Sequence, residues 1–180
     1  MIQPRRFCAA ASIVATVAAS LAGSSLPAFA KGGAQVGLQG GAPNASGPPP
    51  GCTGTPSNTW ITVVASGLRS STGLLAITLY ADNSKKFLAK HGSLYVGRVS
   101  ANAGTTRGCL FVPNPGVYAL VLYHDENSNR KFDRSGIGLP AEAYGFSNNP
   151  ATLAGLPAYS SVRLNIPRAG LVTSVRMKYP

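Results

Sequence analysis

The chain has 180 residues with 16 Lys+Arg against 5 Asp+Glu, 44% hydrophobic content, and 35 residues that are Gly or Pro. That length suits one domain with a real core and is too short for two large ones. The scarcity of charge (12%) and the density of Gly and Pro exclude a coiled coil or helical bundle, and the alternating apolar runs exclude disorder of the whole chain.

Residues 1–30 read as a secretory signal. Arg5 and Arg6 form a basic start, Phe7 to Leu21 is an Ala-rich apolar stretch, and Pro27-Ala-Phe-Ala30 is a small-residue cleavage segment. The stretch is shorter than the roughly 20 residues that cross a bilayer, so no transmembrane helix is expected after cleavage, and a periplasmic or secreted location is implied. Cleavage would remove Cys8 and leave Cys52 and Cys109. An even number of cysteines in an exported chain predicts one disulfide. It would close a loop of about 57 residues, with an upper contribution of roughly 4 kcal/mol. Residues 31–57, dense in Gly, Pro and Ser and without hydrophobic period, read as a flexible linker.

From Trp60 the pattern has period two, and residues 58–180 read as the folded domain. Ile61, Val63 and Ala65 form one alternating set, and Leu75, Ile77 and Leu79 another. Ser84 to Lys90 is the only helical candidate, one turn or two. Further short runs span Leu94–Ser100, Arg107–Val112, Val117–His124, Ser161–Ile166 and Leu171–Tyr179, separated by Gly, Pro and Asn turns. The expected fold is all-β: a seven-stranded antiparallel β-sandwich of immunoglobulin or transthyretin (prealbumin-like) type. Val117–Tyr123 is apolar on both faces and should be a central strand. One long loop comes after it, from about Asp125 to Ser160, and a loop of that length in a sandwich is usually functional or ligand-stabilised.

Four of the five acidic residues, Asp125, Glu126, Asp133 and Glu142, fall within that loop's first 18 residues, in a mature chain of formal charge near +9. The text His124-Asp-Glu-Asn-Ser-Asn-Arg-Lys-Phe-Asp133 carries side-chain oxygens at Asp125, Asn127, Asn129 and Asp133, positions 1, 3, 5 and 9 of a calcium loop. Lys131 at position 7 would offer its carbonyl. Alternate residues of a tightly curled loop point inward, so their oxygens can converge on one hard cation. Two departures weaken affinity. Position 6, normally Gly, is Arg130; position 12 is Gly136, so Glu142 would have to fold back to supply the bidentate carboxylate. A calcium site here is expected to be weak, about 0.1 to 1 mM. A loop without metal, held by Asx turns and Arg–carboxylate contacts, is the competing reading.

The run Tyr118-Ala-Leu-Val-Leu-Tyr-His-Asp-Glu-Asn127, with Asn129, Asp133, Gly138, Pro140, Glu142 and Tyr144-Gly-Phe-Ser-Asn148, resembles a bacterial exported family known as domain of unknown function 2141. That family's pattern is a His-Asp-x-Asn-x-Asn-Gly-x-x-Asp loop, then Gly-x-Pro-x-Glu and Gly-Phe-Ser-Asn. The similarity covers roughly Trp60 to Tyr179 and departs at Arg130, where the family has Gly. It implies an exported sandwich domain and no established activity. The loop is also similar to the calcium loops of adhesin B-type repeats, which favours a metal-stabilised structural role.

Other candidates arise from chemistry alone. His124 beside Asp125 or Glu142 would suit a hydrolase base, though no Ser or Cys sits at a nucleophile turn; a hydrogen bond from His124 to Asp125 across the loop mouth is the plainer expectation. Tyr144, Phe146 and Tyr159 would stack on a ligand or form a small core under the loop. Arg163, Arg176 and Lys178 would line one face if the last two strands pair as a hairpin, attracting anionic lipid or polysaccharide. Nucleic acid is not an expected partner. The sequence therefore points to a non-enzymatic exported module of the cell envelope, with a binding or structural role toward an envelope ligand or protein and with Ca2+ as its only expected cofactor.

Overall fold

The computed structural model describes residues 47–152 and 156–180; residues 1–30, read as a signal, and most of 31–57, read as a linker, lie outside them. The described chain is nearly all β. Its elements are β1 (Thr59–Leu68), β2 (Leu74–Ala81), β3 (Tyr95–Ser100), β4 (Gly104–Val112), β5 (Gly116–Asp125), β6 (Tyr144–Phe146), the four-residue helix α1 (Tyr159–Val162), β7 (Arg163–Ile166) and β8 (Leu171–Arg176). They form two sheets. One has the order β4-β1-β8, and the other the order β3-β2-β5-β6 with β7 also on β5.

Period-two alternation builds the core. Ile61, Val63 and Ala65 of β1, Leu110 and Val112 of β4 and Val175 of β8 face Leu75, Ile77, Leu79, Leu120, Leu122 and Ile166 across the interlayer space, all buried. As expected, β5 is central. It pairs with β2 along one side, and β6 and β7 lie end to end along the other. Its outward residues are apolar because a second cluster covers that face: Tyr80, Ala119, Phe146 and Val162, with Phe87, Leu88, Val121, Tyr144 and Tyr159 against them.

Several expectations need correction. Among the described residues there are eight strands rather than seven, because Tyr144–Phe146 forms a strand inside the segment read as loop. The sheets are not wholly antiparallel, since β1 and β8 pair in parallel from Ile61↔Leu171 to Ser66↔Arg176. The last two strands make no hairpin. The Pro167–Gly170 turn crosses between sheets, and the Gly170 N–H donates to the Trp60 carbonyl (2.9 Å), which starts β8 along the free edge of β1. A hairpin would have left that edge of β1 unpaired. Ser84–Lys90 is a series of turns, with Phe87 N–H donating to Asn83 O (3.1 Å), and the described helix is α1 instead.

The expected disulfide is present: Cys52 and Cys109 are bonded, with Cα atoms 4.4 Å apart. Beside it Thr53 forms a parallel bridge with Leu110. Its N–H donates to Cys109 O and its carbonyl accepts from Phe111 N–H, both at 2.9 Å. A covalent bond and a backbone ladder thus tie Cys52 and Thr53, inside the segment read as linker, to β4.

Candidate functional site

Asp125 closes β5, and the acidic loop springs from it. Its carboxylate is fully buried (0% exposed) and accepts two backbone N–H groups, Asn129 on Oδ1 (3.0 Å) and Arg130 on Oδ2 (2.8 Å). These charge-assisted bonds curl the chain into the turn that the spacing implied. Ser128 and Arg130 sit at φ 60° and 63°, so Arg130 does take the left-handed conformation that Gly would adopt without strain. Asn127 Oδ1 accepts Asn129 N–H (3.0 Å), and Asn129 Oδ1 accepts Lys131 N–H (2.8 Å), two successive Asx turns. Gly73 of the β1–β2 turn, at φ 78°, lies against the loop root; a Cβ there would collide with the backbone of Asp125 and Glu126.

Hydrogen bonds link Asn127, Asn129 and Glu142 to Asp133. Asn127 Nδ2 donates to Asp133 Oδ2 (2.7 Å), and Asn129 Nδ2 donates to both oxygens of Asp133 (3.0 and 2.8 Å). These two amides, Asn129 first, hold the Asp133 carboxyl below its ordinary range. Glu142 reaches back to the loop, where Oε2 accepts Asp133 N–H (3.1 Å). Its other oxygen, Oε1, is buried with no hydrogen-bond partner in a side chain only 6% exposed. Burial pushes the Glu142 carboxyl upward, and the charges of Asp125 and Asp133 add to this.

The donor set is all oxygen, which suits a hard cation in kind. The arrangement suits it less. Among the described residues no three His, Cys, Asp or Glu side chains gather as a metal-holding group. The amide nitrogens, not the oxygens, of Asn127 and Asn129 face Asp133. Each amide oxygen accepts one N–H and keeps a second lone pair, so calcium would require the amides and Asp133 to turn.

His124 does not bond to Asp125. Successive strand residues point to opposite faces, so Asp125 faces outward while the fully buried His124 faces the core. Its Nε2 lies 2.8 Å from Thr72 O, which only an N–H can bond, so Nδ1 accepts from the Tyr179 hydroxyl (2.7 Å). Tyr179 in turn accepts Arg69 N–H (2.9 Å), and Arg69 pairs with Glu126. With both nitrogens committed inside the core, the imidazole joins three segments and offers no lone pair to a substrate.

The basic stripe is not assembled. Arg163 on β7 makes a two-pronged pair with Asp82 (2.9 and 2.7 Å), whose carboxyl that guanidinium and the Tyr159 hydroxyl hold low. Arg176 lies on β8 in the other sheet, and Lys178 pairs in an isolated bridge with Tyr144 and donates from Nζ to Thr152 (3.0 Å).

The Gly-Phe-Ser-Asn segment has a structural task that spacing did not reveal. Gly145 lies so close to β8 that a Cβ would stand 2.8 Å from Arg176 O. Ser147 Oγ accepts Leu120 N–H (3.0 Å) and donates to Val162 O. Asn148 donates to Arg163 O (2.7 Å), while Asn149 accepts Arg176 N–H (2.6 Å) and donates to Ser174 O (3.0 Å). Both Asn residues sit at positive φ, 63° and 48°. The segment thus staples β5, β7 and β8 across both sheets. Phe146 belongs to the outer cluster, and Tyr144 packs against it.

No helix among the described residues is long and apolar enough to cross a membrane. No curated protein and no solved structure matches the chain. The family described as "Uncharacterized protein conserved in bacteria (DUF2141)" matches over residues 63–173, a span running from β1 through the acidic loop and the Asn staple into β8. The chain therefore belongs to the DUF2141 family.

Proposed function

We propose that the protein is an exported, non-enzymatic β-sandwich module of the cell envelope, periplasmic or secreted, whose acidic loop is ordered by weak calcium binding. The signal-like N-terminus and the Cys52–Cys109 bond support export. The two-layer core supports a sandwich of immunoglobulin or transthyretin type. The commitment of both His124 nitrogens weighs against the hydrolase reading with Asp125 or Glu142.

The observation that carries the calcium reading is Glu142 Oε1, a buried carboxylate oxygen without a partner, on a residue whose charge is raised in energy by burial and by Asp125 and Asp133. Either a proton or a cation relieves it. Glu142, Asp125, Asp133, Asn127, Asn129 and the Lys131 carbonyl would hold the ion. Calcium would supply charge neutralisation and hold the loop in one shape.

The test is thermal unfolding with 5 mM calcium against chelator, for the natural chain and Glu142→Gln. For a Kd of about 0.5 mM, calcium stabilises by about 1.4 kcal/mol, a rise of roughly 3–6 °C for a domain of this size. Glu142→Gln should abolish that response. A melting temperature indifferent to calcium would remove the metal and leave a loop held by its own hydrogen bonds, those to Asp125 and Glu142 included.

A further inference from the structure

The outer face of the five-stranded sheet is unusual for a sandwich, since it carries aromatics where water-facing polar residues are the rule. Next to the covered part of that face lies a cavity of about 700 Å³. Its floor is Tyr80, Val121, Tyr123 and Phe146, and the loop segment Phe132–Pro140 forms one wall. That segment turns back on itself: Arg134 bridges Pro140, and Ser135 N–H donates to Leu139 O (2.8 Å). Apolar side chains stand exposed at its mouth and tip, Leu139 (57%) and Leu156 (64%) lining the cavity and Ile137 (83%) beyond it.

The lining restricts the ligand. The volume falls in the roughly 300–1,000 Å³ range of small-molecule sites, too small for a folded partner. Among the described residues no Asp, Glu, Asn or Gln lines the cavity, and the hydroxyls of Thr78, Tyr80, Tyr123 and Tyr144 interrupt a mostly apolar wall, which favours an acyl chain over a sugar with a hydroxyl on nearly every carbon. The one charged side chain in the lining is Arg134, exposed at the rim, with its guanidinium 5.3 Å from the Phe132 ring and Nη1 held by Gly138 O (3.0 Å). The chain as a whole is strongly cationic, which draws anions from a distance.

We propose that this cavity binds a free long-chain fatty acid, the acyl chain lying over Val121 and the aromatic floor and the carboxylate meeting Arg134 at the rim. The site needs neither a metal nor the calcium reading of the adjoining loop. A flat lipid surface fits less well, because the apolar area is concave and, among the described residues, its mouth presents two exposed large apolar side chains, Leu139 and Leu156.

Calorimetric titration of the full chain with decanoate, dodecanoate and tetradecanoate below their micelle concentrations tests this. Affinity should rise about fourfold per added methylene until the cavity is filled. Arg134→Gln should weaken dodecanoate severalfold and leave dodecanol unchanged. Val121→Trp, which fills the floor, should abolish binding of both. If that variant does not fold, Leu139→Asp at the exposed rim should weaken every ligand at least tenfold. Absence of saturable binding, affinity independent of chain length, or undiminished binding in the filled or rim variants would overturn the proposal. So would binding confined to anionic phospholipid vesicles with none to the monomeric acids, which would reassign the rim to a bilayer.

Discussion

Replacing Asp125 with Ala removes the group that shapes the acidic loop, and the structure sets the size of the effect. The carboxylate accepts two buried N–H groups, from Asn129 and Arg130, and each charge-assisted bond of this kind is worth about 1.5–3 kcal/mol. Against this, Ala relieves the cost of holding a fully buried carboxylate, so a net loss of about 3 kcal/mol is expected. Asp125→Asn keeps one acceptor and sets an NH2 against the second N–H, for about 2 kcal/mol. The loss should fall mainly on the loop, which hangs from the end of β5, and much less on the interlayer core. Trypsin reads this directly, because Arg130, Lys131 and Arg134 place three cleavage sites within the loop. Where opening is fast relative to cleavage, the rate follows the open population. About 3 kcal/mol then means roughly a hundredfold faster cutting in Asp125→Ala, and about 2 kcal/mol a few tens in Asp125→Asn. Cleavage of the Ala variant within twofold of the natural chain would show that the two bonds do not hold the loop and would refute the reasoning.

Further outcomes concern pH and backbone strain. Asp82 has its carboxyl lowered by Arg163 first and Tyr159 second; its contribution is present above the unfolded value near 3.8 and is lost as pH falls through the lower folded value, so Asp82→Asn should flatten the acid limb of an unfolding profile below about pH 4. On the alkaline side, the Tyr159 phenol is pushed up to about 12, chiefly by burial, and stability present below pH 10 should decline toward pH 12 in a way that Tyr159→Phe removes. Arg130→Gly relieves the left-handed conformation at φ 63° and should stabilise the loop by about 0.5–1 kcal/mol after the added unfolded-state entropy. The measurement is amide exchange at Asn129, slowed severalfold; faster exchange would show that the Arg130 side chain matters more than its backbone.

The alternating β1 was legible because burial on one face leaves a period-two mark on local sequence, and β2 and β5, buried on both faces, because they read as apolar runs. The Asx loop was legible for a related reason, since its bonds join residues two to five positions apart. Tyr144–Phe146 escaped because three residues are too few to show a period, and the Asn148-Asn149 pair just after it is the signal that could have marked a strand ending in a turn. The expected His124–Asp125 hydrogen bond rested on adjacency, although the alternation that defines β5 already turns His124 to the opposite face from Asp125.

Sequence alone determined which residues would be inside, that two cysteines would pair, and that four of the five carboxylates follow a central strand. Each of these depends on chemistry within a short window or on a count. Tertiary structure alone decided that β8 lies parallel to β1, that Arg163 and Arg176 part company on different sheets, and that an aromatic cavity opens on the outer face of the five-stranded sheet. Those features arise when segments distant in the chain meet. A residue pattern records that a side chain avoids water, but not which distant strand shields it from water or how much space is left between them.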